Sequence, residues 1–130
     1  MYKHPQFSRL FSQMMLLTGL VLAFYKAFAA DFPIGSYRVD GAKAILTFDA
    51  KGRFRVQEGQ TIQVAGKFTV KGDQIEFTDK EGPWACTKEG TQSGSYHWNY
   101  EKSALSFSKL ADACEDRVGS LANVKWGQQH

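Results

Sequence analysis

Between Phe48 and Phe77 apolar and polar residues alternate with period two, and the alternation breaks only at turn signals. Leu46 and Phe48 lead into Asp49-Ala50-Lys51-Gly52. Phe54 and Val56 follow, then Glu58-Gly59, Ile62 and Val64, Phe68 and Val70, Lys71-Gly72-Asp73, and Ile75 and Phe77. Period two puts these apolar residues on one face of a sheet and Thr47, Arg53, Arg55, Gln57, Gln63, Thr69, Gln74 and Glu76 on the other. Tight turns between such short runs predict an antiparallel meander with one dry side and one wet side. Residues 61–70 make a long run for one strand, and Gly66 falls on its inward parity, so a sharp bend is expected there.

The same pattern extends both ways. Residues 35–39 read as a first strand with Tyr37 and Val39 inward, residues 44–48 as the second, 53–57 as the third and 73–78 as the fifth. Residues 95–100 alternate with Tyr96, Trp98 and Tyr100 on one side, and residues 104–109 carry Leu105 and Phe107 inward. Residues 121–126 read as the last strand, with a bulge because Leu121, Val124 and Trp126 break strict parity. Residues 80–93 are polar and irregular around Trp84 and Cys86, either a flap held by Cys86 or the rim of an opening. Residues 110–120 read as a single helical turn or an irregular loop around Glu115-Asp116-Arg117. No stretch after residue 30 carries a long helical apolar stripe, which disfavours crossover helices and parallel sheets. About eight consecutive short strands with one apolar face predict an all-β fold closed into a small antiparallel up-and-down barrel, with a two-sheet sandwich as the alternative.

The first thirty residues change how charge and compartment are read. Lys3 and Arg9 precede a twelve-residue apolar run from Met14 to Tyr25, and Ala27-Phe28-Ala29 supplies the small residues of a cleavage site. This is the pattern of a secretory signal peptide over residues 1–29, leaving a barrel domain over 30–130. The apolar run is short for a permanent span, which needs roughly 20 residues. No stable membrane span is therefore expected after cleavage, and the protein is expected in the periplasm or outside the cell. The leader holds Lys3, Arg9 and Lys26 and no acid. Of the chain's 16 Lys and Arg, 13 then remain against 13 Asp and Glu, so the formal +3 belongs to the leader. A neutral mature domain gives no argument for a nucleic-acid partner.

Cys86 and Cys114 are the only cysteines. Export permits oxidation, and a domain of about a hundred residues gains from a constraint, so one disulfide is expected between them.

Candidate chemistry is sparse. His97 sits on the parity opposite Tyr96 and Trp98, and after cleavage only His130 accompanies it, so no zinc site is expected. Ser93 or Ser95 with His97 and Asp112 gives a hydrolase constellation on paper, without a nucleophile-elbow motif to support it. The carboxylates at Asp79 and Glu81 and at Glu115 and Asp116 match no calcium-loop spacing and read as solvated loops. Arg53 and Arg55 share the wet face. No catalytic residue, metal or cofactor is assigned. The most informative set is aromatic: Tyr37, Trp84, Tyr96, Trp98, Tyr100 and Trp126. An eight-stranded barrel is either filled by such side chains or holds one small ligand. In the second case Trp84 stands in the long loop at the mouth, with Tyr96, Trp98 and Tyr100 on the wall below and Tyr37 completing the set.

Gly35-Ser36-Tyr37 opening the first strand, the all-hairpin order, the glycine-ended turns and Lys125-Trp126 near the end together resemble the small exported barrels of the calycin and lipocalin type. Lipocalins open on Gly-x-Trp, with a basic side chain from near the last strand covering the tryptophan. Here the aromatic is Tyr37 and the basic candidates are Lys125 and Arg117. The resemblance implies a non-enzymatic protein that binds a small hydrophobic or amphipathic ligand. Similar barrels also act on proteins, as envelope interaction modules or as protease inhibitors through an N-terminal segment, here residues 30–34.

Overall fold

Eight antiparallel strands close into a barrel in sequence order: β1 (Gly35–Val39), β2 (Ile45–Phe48), β3 (Arg53–Glu58), β4 (Thr61–Lys71), β5 (Gln74–Glu81), β6 (Ser93–Glu101), β7 (Ala104–Asp112) and β8 (Trp126–Gln128), with helix α1 (Glu115–Leu121) before β8. This computed structural model describes residues 32–130. The signal-peptide reading of residues 1–29 lies outside the described residues. The short β8 pairs with β1, placing Val39 opposite Trp126, and with β7, placing Leu105 opposite Trp126. Closure removes the exposed edges that an open sheet would present.

The dry face turns inward as the alternation requires. Leu46, Phe48, Phe54, Val64, Phe68, Ile75 and Phe77 are buried, while Arg53 and Arg55 are exposed. Ile62 is the exception, at 46% exposed. The ladder shifts between Val56 and Gln57, so that Val56 faces Val64 but Gln57 faces Ile62. One extra residue on β4 reverses the parity beyond it and turns Ile62 out beside Gln57. At Gly66 β4 runs on through a second shift, paired to Asp79 on β5. A Cβ there would overlap the Thr78 carbonyl oxygen and press on the Phe54 ring. The inward glycine is what lets the neighbouring backbone approach at the bend.

Several boundaries differ from the sequence reading: β7 runs on to Asp112, through residues read as a loop or helical turn, and β6 starts at Ser93. β5 continues to Glu81, and Asp79, on the same parity as Ile75 and Phe77, is buried rather than solvated in a turn. Residues 115–121 form a helix, so Leu121 belongs to α1 and not to the last strand. The last strand starts only at Trp126. Helix α1 begins on Cys114, whose sulfur accepts from Arg117 N, and carries Glu115 and Asp116 in its first turn, where carboxylates complement the helix dipole.

The core is a cluster of rings, most of them edge-to-face, with Phe48 tilted at 48° against Phe77. Around Phe77 stand Phe54, Phe107, Tyr96 and Phe48, with ring centroids 5.2 to 6.0 Å away. Phe48 also meets Phe68 at 5.0 Å and Tyr37 at 6.1 Å. Such pairs add to the burial of large apolar areas. The Tyr37 hydroxyl donates to Pro33 O at 2.5 Å, and burial pushes its phenol up to about 12. On the wet side, the predicted turn at residues 49–52 is organised by Asp49. Its carboxylate accepts from the Arg53 and Lys51 amides and from Arg53 Nε, and these bonds, the Arg53 amide foremost, hold it below the usual carboxylate range.

Candidate functional site

β5 and β7 finish at the same end of the barrel, where the connection of residues 82–92 and helix α1 lie. Three devices fasten that connection. The disulfide Cys86–Cys114 ties its first half to the residue preceding α1, across a Cα–Cα distance of 6.3 Å. The Trp84 amide donates to Gln63 O at 2.8 Å, and the Cys86 amide to Asp79 Oδ2 at 2.8 Å. Arg117 secures the second half, donating from Nη2 to Thr91 O at 3.0 Å and Gln92 O at 2.9 Å.

Arg117 is also the centre of a buried ion network. Nη1 donates to Asp112 Oδ1 at 2.7 Å, and Nη2 lies 3.0 Å from Asp79 Oδ2. The side chains of all three residues are almost wholly out of solvent, at 6% for Arg117, 5% for Asp79 and 0% for Asp112. Burial works against the guanidinium's charge, but the two carboxylates outweigh it and raise its pKa further. Tyr96 donates its hydroxyl to Asp112 Oδ2. Burial and that carboxylate hold the Tyr96 phenol well above its ordinary value. Room for Asp112 is made by its cross-strand partner Gly94, whose Cβ would overlap the carboxylate.

Between this capped end and the ring cluster lies a pocket of about 530 Å³. The strands line it with Leu46, Val56, Val64 and Phe77, the connection with Pro83, Trp84 and Cys86, and α1 with Arg117, Ser120 and Leu121. Arg117 and Leu121 share one helix face because they are four residues apart. Trp126 lines the pocket from β8. The interior is thus packed with rings toward one end and hollow toward the other.

Trp84 lines the pocket, half-exposed at its rim. Tyr37 and Tyr96 are fully buried in the ring cluster and do not belong to the lining. Trp98 and Tyr100 stand toward the opposite end, because β6 outruns β5 there. β5 begins at Gln74, opposite His97, and Trp98 reaches over the turn below it, donating from Nε1 to Gly72 O at 3.0 Å. Tyr100 is partly exposed and donates to Gln128 Oε1 at 2.5 Å. The lining residues that the alternation places inside, Leu46, Phe54, Val56, Val64 and Phe77, were readable as core but not as pocket. Arg117 and Asp79 had a readable signal in the inward parity of Asp79, which demands a buried cation.

The histidine constellation is not assembled. His97 Nδ1 lies 3.3 Å from Asp73 on the outer surface, Ser93 bonds Thr78 at 2.8 Å, and Asp112 is held by Arg117 and Tyr96. Neither basic candidate is seen on Tyr37: Arg117 is engaged by Asp79 and Asp112, and Lys125 is exposed. In the N-terminal segment, Ile34 is exposed and Pro33 is tied to Tyr37, while residues 30 and 31 lie outside the described residues. Among the described residues no group of three or more His, Cys, Asp or Glu is placed to hold a metal ion, and no helix is long and apolar enough to cross a membrane.

In strand number, order and closure the fold is consistent with the broad calycin and lipocalin-like class of eight-stranded antiparallel barrels. No family model, curated protein or solved structure matches the chain.

Proposed function

We propose that the chain is an exported, non-enzymatic barrel that binds a small apolar or amphipathic molecule in the pocket at its helix-capped end. The observation that carries this reading is the pocket itself. It is apolar on its strand side, has a few polar groups on its helix side, and has a volume in the range of small-molecule sites, roughly 300–1,000 Å³. Export is supported by the leader pattern and by the Cys86–Cys114 disulfide, which suits an oxidising compartment such as the periplasm or the extracellular space. The absence of catalysis is argued from His97, which faces Asp73 and takes no part in the pocket.

The test is a fluorescence titration of the oxidised barrel, residues 30–130, with a panel of small apolar and amphipathic molecules. Saturable quenching or a blue shift is expected, weakened severalfold when Trp84 is replaced by leucine in a barrel that still folds. A flat response across the panel would overturn the pocket as a binding site. It would move the assignment to a protein partner docking on the rim, where Trp84 and Ile62 are both exposed and the Trp84 amide is bonded to Gln63 next to Ile62.

A further inference from the structure

Asp79 offers the pocket an oxygen that the protein leaves without a partner. The residue is 7% exposed and sits on the inward parity of β5, two positions after Phe77, and both residues line the cavity. Its Oδ2 is occupied, accepting from the Cys86 amide at 2.8 Å and facing Arg117 Nη2 at 3.0 Å. Its Oδ1 has no hydrogen-bond partner among the described residues. That oxygen is not sealed off either. Among the described residues, the unpartnered polar atoms of buried side chains that water cannot reach are Arg117 Nε and Trp126 Nε1. An ionised carboxylate can only accept, and buried polar groups are normally matched, so the group that completes Oδ1 must bring an N–H or an O–H.

The charge around the pocket decides between these donors. The ionisable residues in the lining are Asp79, Asp116 and Arg117, and Asp112 stands behind Arg117 at 2.7 Å. Three carboxylates are thus set against one guanidinium. The side chains of Asp79 and Asp112 are 5% and 0% exposed, so solvent and salt screen them little. A hydroxyl would satisfy Oδ1 and leave the excess negative charge unanswered. A protonated amine does both, through a charge-assisted bond, whereas a carboxylate ligand would be repelled. The apolar walls exclude a bare ion and favour a cation carried on an apolar body. Resting on the pocket reading above, we infer that the ligand is an amphipathic amine, its ammonium donating to Asp79 Oδ1 and its body lying against Leu46, Val56, Val64 and Phe77. Alkylamines and amines on other apolar frames share this chemistry; fatty acids and other anionic amphiphiles do not.

The experiment compares three probes with the same apolar chain on the oxidised barrel, residues 30–130: octylammonium, octanol and octanoate. Each is titrated at neutral pH into protein labelled with carbon-13, and the side-chain carboxyl resonance of Asp79, assigned through its bonds to the Asp79 backbone, is followed. Octylammonium is expected to move that resonance saturably and to bind about tenfold more tightly than octanol, the worth of a net hydrogen bond between charged groups. Octanoate is expected to bind most weakly. In Asp79→Asn the preference for octylammonium over octanol is expected to shrink severalfold while octanol binding persists. Octanol or octanoate binding as tightly as octylammonium, or an unmoved Asp79 carboxyl in wild-type protein saturated with octylammonium, overturns the inference and leaves the pocket reading standing. Failure of all three probes to bind overturns both. Because the wild-type carboxyl reports directly, the outcome does not depend on the variant folding.

Discussion

Replacing Arg117 with methionine is expected to cost the barrel about 3–5 kcal/mol, the usual consequence of leaving a buried carboxylate without its cation. Here two are left, Asp79 and Asp112, whose side chains are 5% and 0% exposed. The loss also releases Thr91 O and Gln92 O from the donors that hold the end of the 82–92 connection. Methionine keeps much of the volume, so the effect reads the missing charge and donors rather than a cavity. Arg117→Lys is expected to recover only part of the loss, because an ammonium cannot reproduce the planar fork that spans two carboxylates and two carbonyls. Urea unfolding of the oxidised proteins measures both, with the comparison valid where the denaturant slopes agree. A cost below about 1 kcal/mol for Arg117→Met, the range of a surface ion pair, would contradict the buried network.

Removing the disulfide, by substituting serine at both Cys86 and Cys114, is expected to destabilise the domain by about 3 kcal/mol. The two residues are separated by 28 positions, and opening that loop restores conformational freedom to the unfolded chain. For a domain of about a hundred residues, whose total stability is of the order of 5–15 kcal/mol, that is a large fraction. The effect is expected in the same urea experiment under oxidising conditions, and reduction of the wild-type protein should reproduce it. An unchanged midpoint would mean that the Arg117 network alone holds the capped end. Because the bridge and Arg117 fasten the same connection, the combined variant is not expected to show a simple sum.

Period two was legible wherever one side of a strand meets the interior and the other meets water, which is why the meander from Leu46 to Phe77 and the closed barrel could be read from residues alone. The reading failed where a local event reset the parity. The extra residue of the bulge opposite Gln57 turned Ile62 outward, and no composition signal marks it. Residues 115–121 were ambiguous because seven residues are too few for a helical apolar stripe; only Arg117 and Leu121 point inward. The disulfide followed from there being two cysteines in a chain whose first residues carry a leader pattern. The pocket was half legible. Trp84 is read at a mouth because it lies in the long loop where a barrel mouth would be, and it does line the pocket, while Trp98 and Tyr100 stand toward the other end, since alternation tells which side of a strand a residue takes and not how far along the barrel its neighbours extend. Asp79 carried the clearest unused signal: two residues after Phe77 on the inward parity, it called for a buried partner, and Arg117 supplies it.

The most direct test of the binding account is a methyl-resolved NMR titration of the oxidised barrel, labelled on its isoleucine, leucine and valine methyl groups, with octanol as the probe. The predicted result is saturable shifts, with intermolecular contacts to the probe, at Leu46, Val56, Val64 and Leu121, which line the pocket. Ile75 and Val70, near the opposite end of β4 and β5, should stay in place. Contacts confined to the outer surface, or shifts centred on Ile75 and Val70 with the pocket methyls unmoved, would contradict the assignment of the helix-capped pocket as the binding site.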